Sequence, residues 1–224
     1  MRIVVRIGGS VVANPINTEL IAKYGDMIVL LKEQDHEIVV VVGGGALARQ
    51  FIGFAKSLEL DMIAQDEVAI SCSRLFAQLF LKKLGGYGDS RVSTTLEEVV
   101  ECLNRGRVGV MGGLKPGITT DTVATLVAEK IGADMLLKGS DQIGIYNKDP
   151  RKHPDAVKLD HLSFEELSEV FEQNQHKAGI HQIIDPEAVK ILKAKRIKTV
   201  VVNGFDPKNI VAATQGKKVG TLIS

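Results

Sequence analysis

Short apolar runs alternate along the chain with longer segments in which apolar residues recur every three or four positions. Residues 37–42 end in four consecutive valines, and a run without alternation is typical of a strand covered on both faces of a sheet. Further strands are predicted at residues 3–7, 107–111, 134–138, 198–202 and 220–223, with a short strand edge at Arg91. Helices are predicted at residues 18–34, 46–58, 67–84, 96–104, 121–131, 163–173 and 186–195. This alternation predicts an α/β fold whose mainly parallel sheet carries helices on both faces.

The organisation of the chain favours a single domain over residues 1–224, because no repeat, low-complexity tract or Pro-rich linker divides it. The least regular stretch, residues 139–160, is expected to line a cleft. Asp185 followed by Pro186 is a strong helix-entry signal, since Asp caps a helix and Pro suits its first position.

Composition excludes several classes of function. The net charge of +1 gives no broad basic field for nucleic acid, and no apolar stretch approaches the ~20 residues that span a bilayer. The two cysteines, Cys72 and Cys102, form no C-x-x-C pair, which leaves a zinc site or disulfide framework unsupported and favours a reducing, cytoplasmic compartment. Among the five histidines only His176 and His181 are close in sequence, and their spacing does not share a helix face. No protein metal site is predicted.

Three glycine-rich turns each follow a predicted strand: Gly8-Gly9-Ser10, Gly43-Gly44-Gly45, and Gly112-Gly113 continuing to Asp121. Glycine lets a phosphate approach backbone N–H groups, and a following helix directs its positive dipole end to the same place. Because the carboxyl ends of parallel strands form one crevice, the three turns are expected to converge there on an anionic substrate.

Two common nucleotide-binding patterns offer alternatives to this interpretation. Gly43, Gly45 and Ala48 satisfy G-x-G-x-x-A, but that dinucleotide fingerprint normally marks the first strand-to-helix turn, and here a complete unit precedes it. The Walker pattern is missing, because Ile118 follows Gly117 where Lys is required. A P-loop kinase is therefore not expected, and a dinucleotide-binding module remains a secondary alternative.

Together these residues resemble the amino-acid-kinase family, and within it the archaeal UMP kinases. The resemblance runs nearly end to end, through Gly8-Gly9-Ser10, VVGGGALAR at 41–49, Asp66 with Arg74, MGGLKPGITTDTVATLVAE at 111–129, residues 140–150, Asp185 in IIDP, and Gly220-Thr221. It implies an αβα three-layer sandwich around a mainly parallel sheet. It also implies transfer of the γ-phosphoryl group of ATP, with Mg²⁺, to UMP, and assembly as a homohexamer, a trimer of dimers.

The resemblance assigns roles to individual positions. The UMP side is expected at Gly44, Arg49 and the loop of Leu114, Lys115, Pro116, Gly117, Ile118, Thr119 and Thr120, with Asp66 accepting from the ribose hydroxyls. The ATP side is expected at Gly9, Ser10, Gly45, Arg49, Ser140, Tyr146 and Asp149. Asp66 could also cap helix 67–84, and Arg49 could instead be a solvated helix residue.

Asp121 and Asp185 are the candidates for organising the reacting groups, because phosphoryl transfer requires positioning and charge neutralisation. Asp121 could instead act only as a first-turn carboxylate of its helix. Mg²⁺ is expected to be held mainly by phosphate oxygens and water. The third candidate is Arg6, which stands where the family usually has Lys; it could neutralise developing charge or lie on the surface at a strand edge.

Another departure lies on the ATP side, where Ile143 replaces the Asp of the family motif and Lys138 is available as an extra cation. Three alternatives to a UMP kinase stay open: a family kinase for acetylglutamate, carbamate or isopentenyl phosphate, a non-catalytic nucleotide sensor, and the dinucleotide module. Val42 stands where a kinase for isopentenyl phosphate would have His. Apolar residues around helix 67–84 exceed one core-facing stripe and indicate subunit contact.

Overall fold

A computed structural model describes residues 1–175 and 183–224, so the histidine pair at 176 and 181 lies outside the described residues. The main sheet has the strand order β3-β2-β1-β4-β8-β9-β7. Its strands are β1 Arg2–Ile7, β2 Glu37–Val42, β3 Gly109–Met111, β4 Met135–Ser140, β7 His161–Leu162, β8 Thr199–Asn203 and β9 Thr221–Ile223. Neighbours pair in parallel except β8 with β9, which pair antiparallel.

Helices flank both faces of this sheet. They are α1 Gly9–Val12, α2 Thr18–Glu33, α3 Gly45–Ser57, α4 Met62–Leu84, α5 Leu96–Asn104, α6 Thr120–Ile131, α7 Phe164–Gln175, α8 Pro186–Lys195 and α9 Lys208–Thr214. A separate hairpin pairs β5, Ile145–Tyr146, with β6, Lys158–Leu159. No helix in the described ranges combines the length and apolarity needed to cross a bilayer.

The strand side chains divide between two apolar cores, one on each face of the sheet. In β2, Val40 and Val42 pack into the core that α2, α4 and α9 cover, whereas Val39 and Val41 pack into the core covered by α5, α6, α7 and α8. Successive side chains of a strand point to opposite faces, so an uninterrupted valine run fills both cores. The predicted αβα sandwich around a mainly parallel sheet is confirmed.

The structure differs from the sequence prediction at four local features. Helix α4 begins at Met62 instead of residue 67, because Asp61 caps it by accepting a hydrogen bond from the Ala64 amide. The interpretation of Asp66 as the helix cap is therefore wrong. The stretch 139–160 contains the β5–β6 hairpin, and residue 91 lies in no strand. The short helices α1 and α9 were not predicted, since one or two turns give too little periodicity.

The chain reverses its direction of travel across the sheet beside β1. From β1 it proceeds through β2 to β3, and then crosses back to place β4 on the other side of β1. In open α/β sheets, ligands bind at such a switch point, outside the carboxyl ends of the strands. The fold therefore directs attention to the ends of β1 and β4.

Candidate active site

The glycine turns after β1 and β2 touch each other through their backbones. A Cβ on Gly9 would lie 2.2 Å from the Gly45 nitrogen, and one on Gly45, where φ is +59°, would lie 2.3 Å from the Gly9 carbonyl oxygen. Only residues without side chains allow this approach. Gly43 also packs beside Thr120, at the start of α6. Thr120 belongs to the end of the third glycine-rich turn, so this turn meets the other two. The predicted convergence of the three turns is thus present in the structure.

A buried charge cluster forms the floor between these turns. Nε of Arg6, on β1, lies 2.7 Å from Oδ1 of Asp121, and Nη2 of Arg6 donates to Thr120 Oγ1 at 3.0 Å. Lys138, on β4, donates to the same Oδ1 of Asp121. The Arg6 side chain is only 13% exposed, in the middle of the sheet, so its interpretation as a surface residue at a strand edge is wrong. Asp121 is more than a first-turn carboxylate, because it joins two cations from neighbouring strands.

The cluster shifts the pKa of both Asp121 and Lys138. Burial raises the pKa of the Asp121 carboxyl, but the charges of Arg6 and Lys138 outweigh burial and lower it below its usual value. Burial and the charge of Arg6 lower the pKa of Lys138 from 10.5 to about 8, against the opposing effect of Asp121. Nε of Arg6 is buried without an aligned hydrogen bond, so its bond to the cluster is chiefly electrostatic.

Asp185 connects the start of α8 to the start of α6. Its carboxylate accepts hydrogen bonds from the backbone amides of Glu187 and Ala188, which confirms the predicted cap. It also accepts from the hydroxyls of Thr119, at 2.5 Å, and Thr122, at 2.8 Å. Asp185 therefore holds the helix start that carries Asp121.

One face of α4 holds the loop after β3. Asp66 Oδ2 accepts from the Gly117 amide at 2.7 Å, and Ser73 Oγ accepts from the Gly113 amide at 2.7 Å. Arg74 donates through Nε to the Gly113 carbonyl and through Nη2 to the Leu114 carbonyl, both at 3.1 Å. These α4 residues recur at helical spacing and therefore share one face of the helix. That face holds the proposed acceptor loop at several points. The family resemblance indicated Asp66 and Arg74, but gave no reason to expect this bracing.

The opposite wall of the site follows β4. Ser140 Oγ accepts from the Gln142 amide, and Arg151 Nη2 donates to Asp141 Oδ2 at 2.8 Å. Asp149 is buried and accepts a hydrogen bond from the Arg151 amide at 3.0 Å. This bond closes a turn in the loop between β5 and β6. This wall brings a cation, Arg151, that the sequence analysis did not single out.

These elements enclose a polar cleft of about 260 Å³. Its lining residues are Arg6, Gly9, Ser10, Gly43, Gly44, Gly45, Arg49, Thr120, Asp121, Lys138, Ser140, Asp141, Gln142, Arg151 and Ile183. Four cationic side chains and two carboxylates lie among them, which suits a polyanionic ligand.

The cleft lining does not include every predicted residue. Asp66, Asp185 and residues 114–119 are outside the lining, and hydrogen bonds join Asp66 to Gly117 and Asp185 to Thr119. Tyr146, half-buried on β5, and Asp149 are also outside the lining. Arg49 is exposed at the start of α3 but does line the cleft. Arg151 and Ile183 come from distant parts of the chain, and only folding brings them to the site.

Within the described residues, no group of three or more His, Cys, Asp or Glu side chains is arranged to hold a metal ion. Asp121 is engaged by two cations, and Asp185 by hydroxyls and backbone amides. Both carboxylates therefore already have partners within the protein.

Comparisons with known proteins agree with this geometry. A model of the amino acid kinase family matches residues 1–203. The chain is 38% identical to the uridylate kinase of Methanocaldococcus jannaschii, over 100% of this chain and 99% of that protein. It is 36% identical to the uridylate kinase of Haloarcula marismortui, over 96% and 94% of the two chains.

Solved structures are similar over the whole fold. The crystal structure of uridylate kinase from Archaeoglobus fulgidus matches with a TM-score of 0.90 at 36% identity, and the match covers 100% of both chains. UMP kinase from Bacillus anthracis matches with a TM-score of 0.84 at 20% identity, over 100% of this chain and 95% of that one. At that identity the second likeness supports the fold alone.

Proposed function

Because this chain belongs to the amino acid kinase family, we propose that it transfers the γ-phosphoryl group of ATP to UMP and releases UDP and ADP. The observation that carries the proposal is the meeting of three strand-end turns around the Arg6, Asp121 and Lys138 cluster. Uridylate kinases that match over the full length of the chain support the choice of acceptor.

Arg6 and Lys138 are proposed to stabilise the charge that develops on the transferring phosphoryl group. In this reaction class the protein contributes positioning and electrostatic stabilisation, with no covalent step of its own. The Asp121 carboxylate fixes both cations on the cleft floor before substrates arrive. Asp185 positions Asp121 indirectly, by holding Thr119 and Thr122 at the start of α6.

The acceptor is proposed to lie against Gly44, Asp66 and residues 114–120, with its phosphate toward Arg49. The fixed loop supports this assignment, since its backbone groups are held before any ligand binds. One carboxylate oxygen of Asp66 accepts a hydrogen bond from the Gly117 amide. The other oxygen is proposed to accept hydrogen bonds from the ribose hydroxyls of UMP. A guanidinium such as Arg49 can meet two phosphate oxygens at once.

The donor is proposed to lie with its phosphates on Gly9, Ser10, Gly45 and Arg49, and with its adenosine toward Ser140, Tyr146 and Asp149. Mg²⁺ would be held by the phosphates of ATP, close to Asp121 and Asp185. There it would neutralise the negative charge of the phosphates. The acceptor side is thus proposed to come mainly from the first part of the chain and the adenosine end of the donor site from the second, within a single domain of residues 1–224.

Assembly as a hexamer, a trimer of dimers, in the cytoplasm is part of the proposal. Its support is an exposed apolar surface on α3, α4 and their connection, which includes Phe54, Leu58, Met62 and Leu75. Several large exposed apolar residues on neighbouring helices are typical of an interaction site.

The acceptor assignment is tested by coupled ADP release with UMP, CMP, AMP, acetylglutamate and isopentenyl phosphate. We expect the highest kcat/KM with UMP. A higher value with any other compound would show that the acceptor is wrong although the reaction class is right. Binding of UMP without ADP release would instead support the nucleotide-sensing alternative.

A further inference from the structure

A second cavity, of about 390 Å³, opens between α9 and the β4–β8–β9 part of the sheet. It shares no lining residue with the cleft. Met135, at the amino end of β4, lines it, so the cavity extends toward the end of the sheet opposite the catalytic cluster. It exists because α9 has seven residues and spans only about 10 Å, too little to cover β8 and β9 together.

The floor of this cavity is aliphatic. Met135, Val200, Ala213 and Leu222 contribute to it from three strands and α9. The volume lies within the range of about 300 to 1,000 Å³ that is usual for small-molecule sites. A floor of this kind accepts the flat apolar face of a ring.

The rim of the cavity is cationic. Lys198, Lys217 and Lys218 are exposed on it, and none of the three lies within ion-pair distance of a carboxylate in the described ranges. The pKa of Asp160 is nevertheless lowered by the hydrogen bond from Lys158 and also by the charge of Lys218. Lys158 is paired with Asp160, the one carboxylate in the lining. Like charges close together repel, and an anion between them relieves that repulsion.

We propose that this second cavity binds a nucleotide, with the base on the aliphatic floor and the phosphates among the lysines of the rim. An inorganic anion would leave the apolar floor unused, and a neutral ring would leave the excess positive charge of the rim without a counter-charge beyond Asp160. A phosphorylated molecule with a planar ring satisfies both features at once.

The cavity is connected to the hairpin on the proposed donor side. The Lys158 side chain donates to the Gly220 carbonyl at 3.0 Å, while its backbone pairs with Tyr146 in the β5–β6 hairpin. Thr221, next to Gly220, accepts from the Ile145 amide at 2.8 Å and donates to the Leu159 carbonyl at 2.5 Å. A ligand that engages Lys158 therefore alters the support of Tyr146. The predicted consequence, which rests on the proposed function, is a changed KM for ATP with an unchanged KM for UMP.

The test uses the full chain with labelled Ala, Val and Leu methyl groups, observed by NMR. Saturating UMP and a non-hydrolysable ATP analogue occupy the cleft, and CTP, tripolyphosphate and cytidine are then added separately. We expect CTP to shift the methyl signals of Val200, Ala213 and Leu222, with an affinity at least tenfold higher than either fragment. If neither CTP nor the UMP and ATP analogue added before it moves these three signals, the proposal is overturned.

Charge-removing variants make the result specific. The double variant Lys217→Ala, Lys218→Ala should weaken CTP binding at least tenfold, whereas Lys190→Ala, Lys193→Ala, on the exposed surface of α8, should leave it unchanged. Equal CTP binding in the first double variant and the unmodified chain would contradict the proposed site. UMP-dependent ADP formation, measured on the same samples without CTP, reports the proposed function separately, so either proposal can fail alone.

Discussion

Arg6 Nε lies 2.7 Å from Asp121 Oδ1, and this contact joins the central strand to the first turn of α6 at the floor of the cleft. Lys138 meets the same oxygen from the neighbouring strand. Two cations with one carboxylate leave a net positive charge in a site with little solvent. Such a preorganised charge is worth far more than it would be in water.

The substitution Asp121→Asn should lower kcat by at least a hundredfold and change the dissociation constant of UMP by less than about threefold, because the cations lose their orientation while the acceptor loop stays intact. Removing one partner of a buried charge cluster also costs about 3 to 5 kcal/mol of stability. Steady-state kinetics, UMP titration and denaturant unfolding check these outcomes together. An unchanged kcat would leave Asp121 with only a helix-end role.

The proposed charge stabilisation by Arg6 can be tested with two variants, one that keeps the positive charge and one that removes it. Arg6→Lys keeps the positive charge but loses the paired contacts to Asp121 and Thr120, so we expect a loss of kcat of about tenfold. Arg6→Met removes the charge and should lower kcat by about 10² to 10³. Similar rates for both variants would argue against charge stabilisation by this residue.

The sheet and its glycine turns are predictable from the sequence because both are encoded locally. Four valines without alternation require burial on two faces, and glycine after a strand indicates a close backbone approach. The sequence does not indicate the start of α4 at Met62, because Met62 and Ile63 are apolar yet exposed and so obscure the apolar face of the helix. Their exposure is accounted for by the proposed subunit contact.

The composition of the candidate site was only partly predictable. The meeting of Arg6, Asp121 and Lys138 depends on strand order and register, which place β1 beside β4 and α6 at their ends. Arg151 enters the cleft through a loop closed by Asp141 and Asp149, and no periodicity marks that closure. Long-range loop placement of this kind leaves no pattern in a single sequence.

Arg74 should act as a positioning residue for the acceptor, because it binds the Gly113 and Leu114 carbonyls. Arg74→Ala is expected to raise KM for UMP about tenfold with KM for ATP nearly unchanged, and Arg74→Lys should recover part of the loss. Arg105→Ala, which removes a surface ion pair with Asp89, is the matched control and should alter neither KM. A parallel rise in both KM values would indicate general destabilisation instead.

The pH dependence follows from the pKa of Lys138, which burial lowers to about 8. We expect kcat/KM for ATP to fall above about pH 8 as the ammonium group loses its proton, since this parameter reports the free enzyme. Lys138→Arg should move that decline to higher pH. The unfolded chain holds the proton up to about pH 10.5, so this group's contribution to the free energy of unfolding rises between pH 8 and 10.5.

The exposed apolar surface around α3 and α4 predicts self-association. Leu58→Glu with Met62→Glu should convert the proposed hexamer to smaller species, because charges on an apolar interface prevent its desolvation. Light scattering after size-exclusion chromatography measures the mass. A particle of one chain before the substitutions would contradict the proposed assembly.

The most direct test of the central claim is ³¹P NMR of the protein with UMP, ATP and Mg²⁺. The account predicts that UDP and ADP appear in equal amounts while UMP and ATP decline together, and that Asp121→Asn slows this at least a hundredfold. Loss of ATP without UDP, or no reaction from protein that binds both nucleotides, would contradict it.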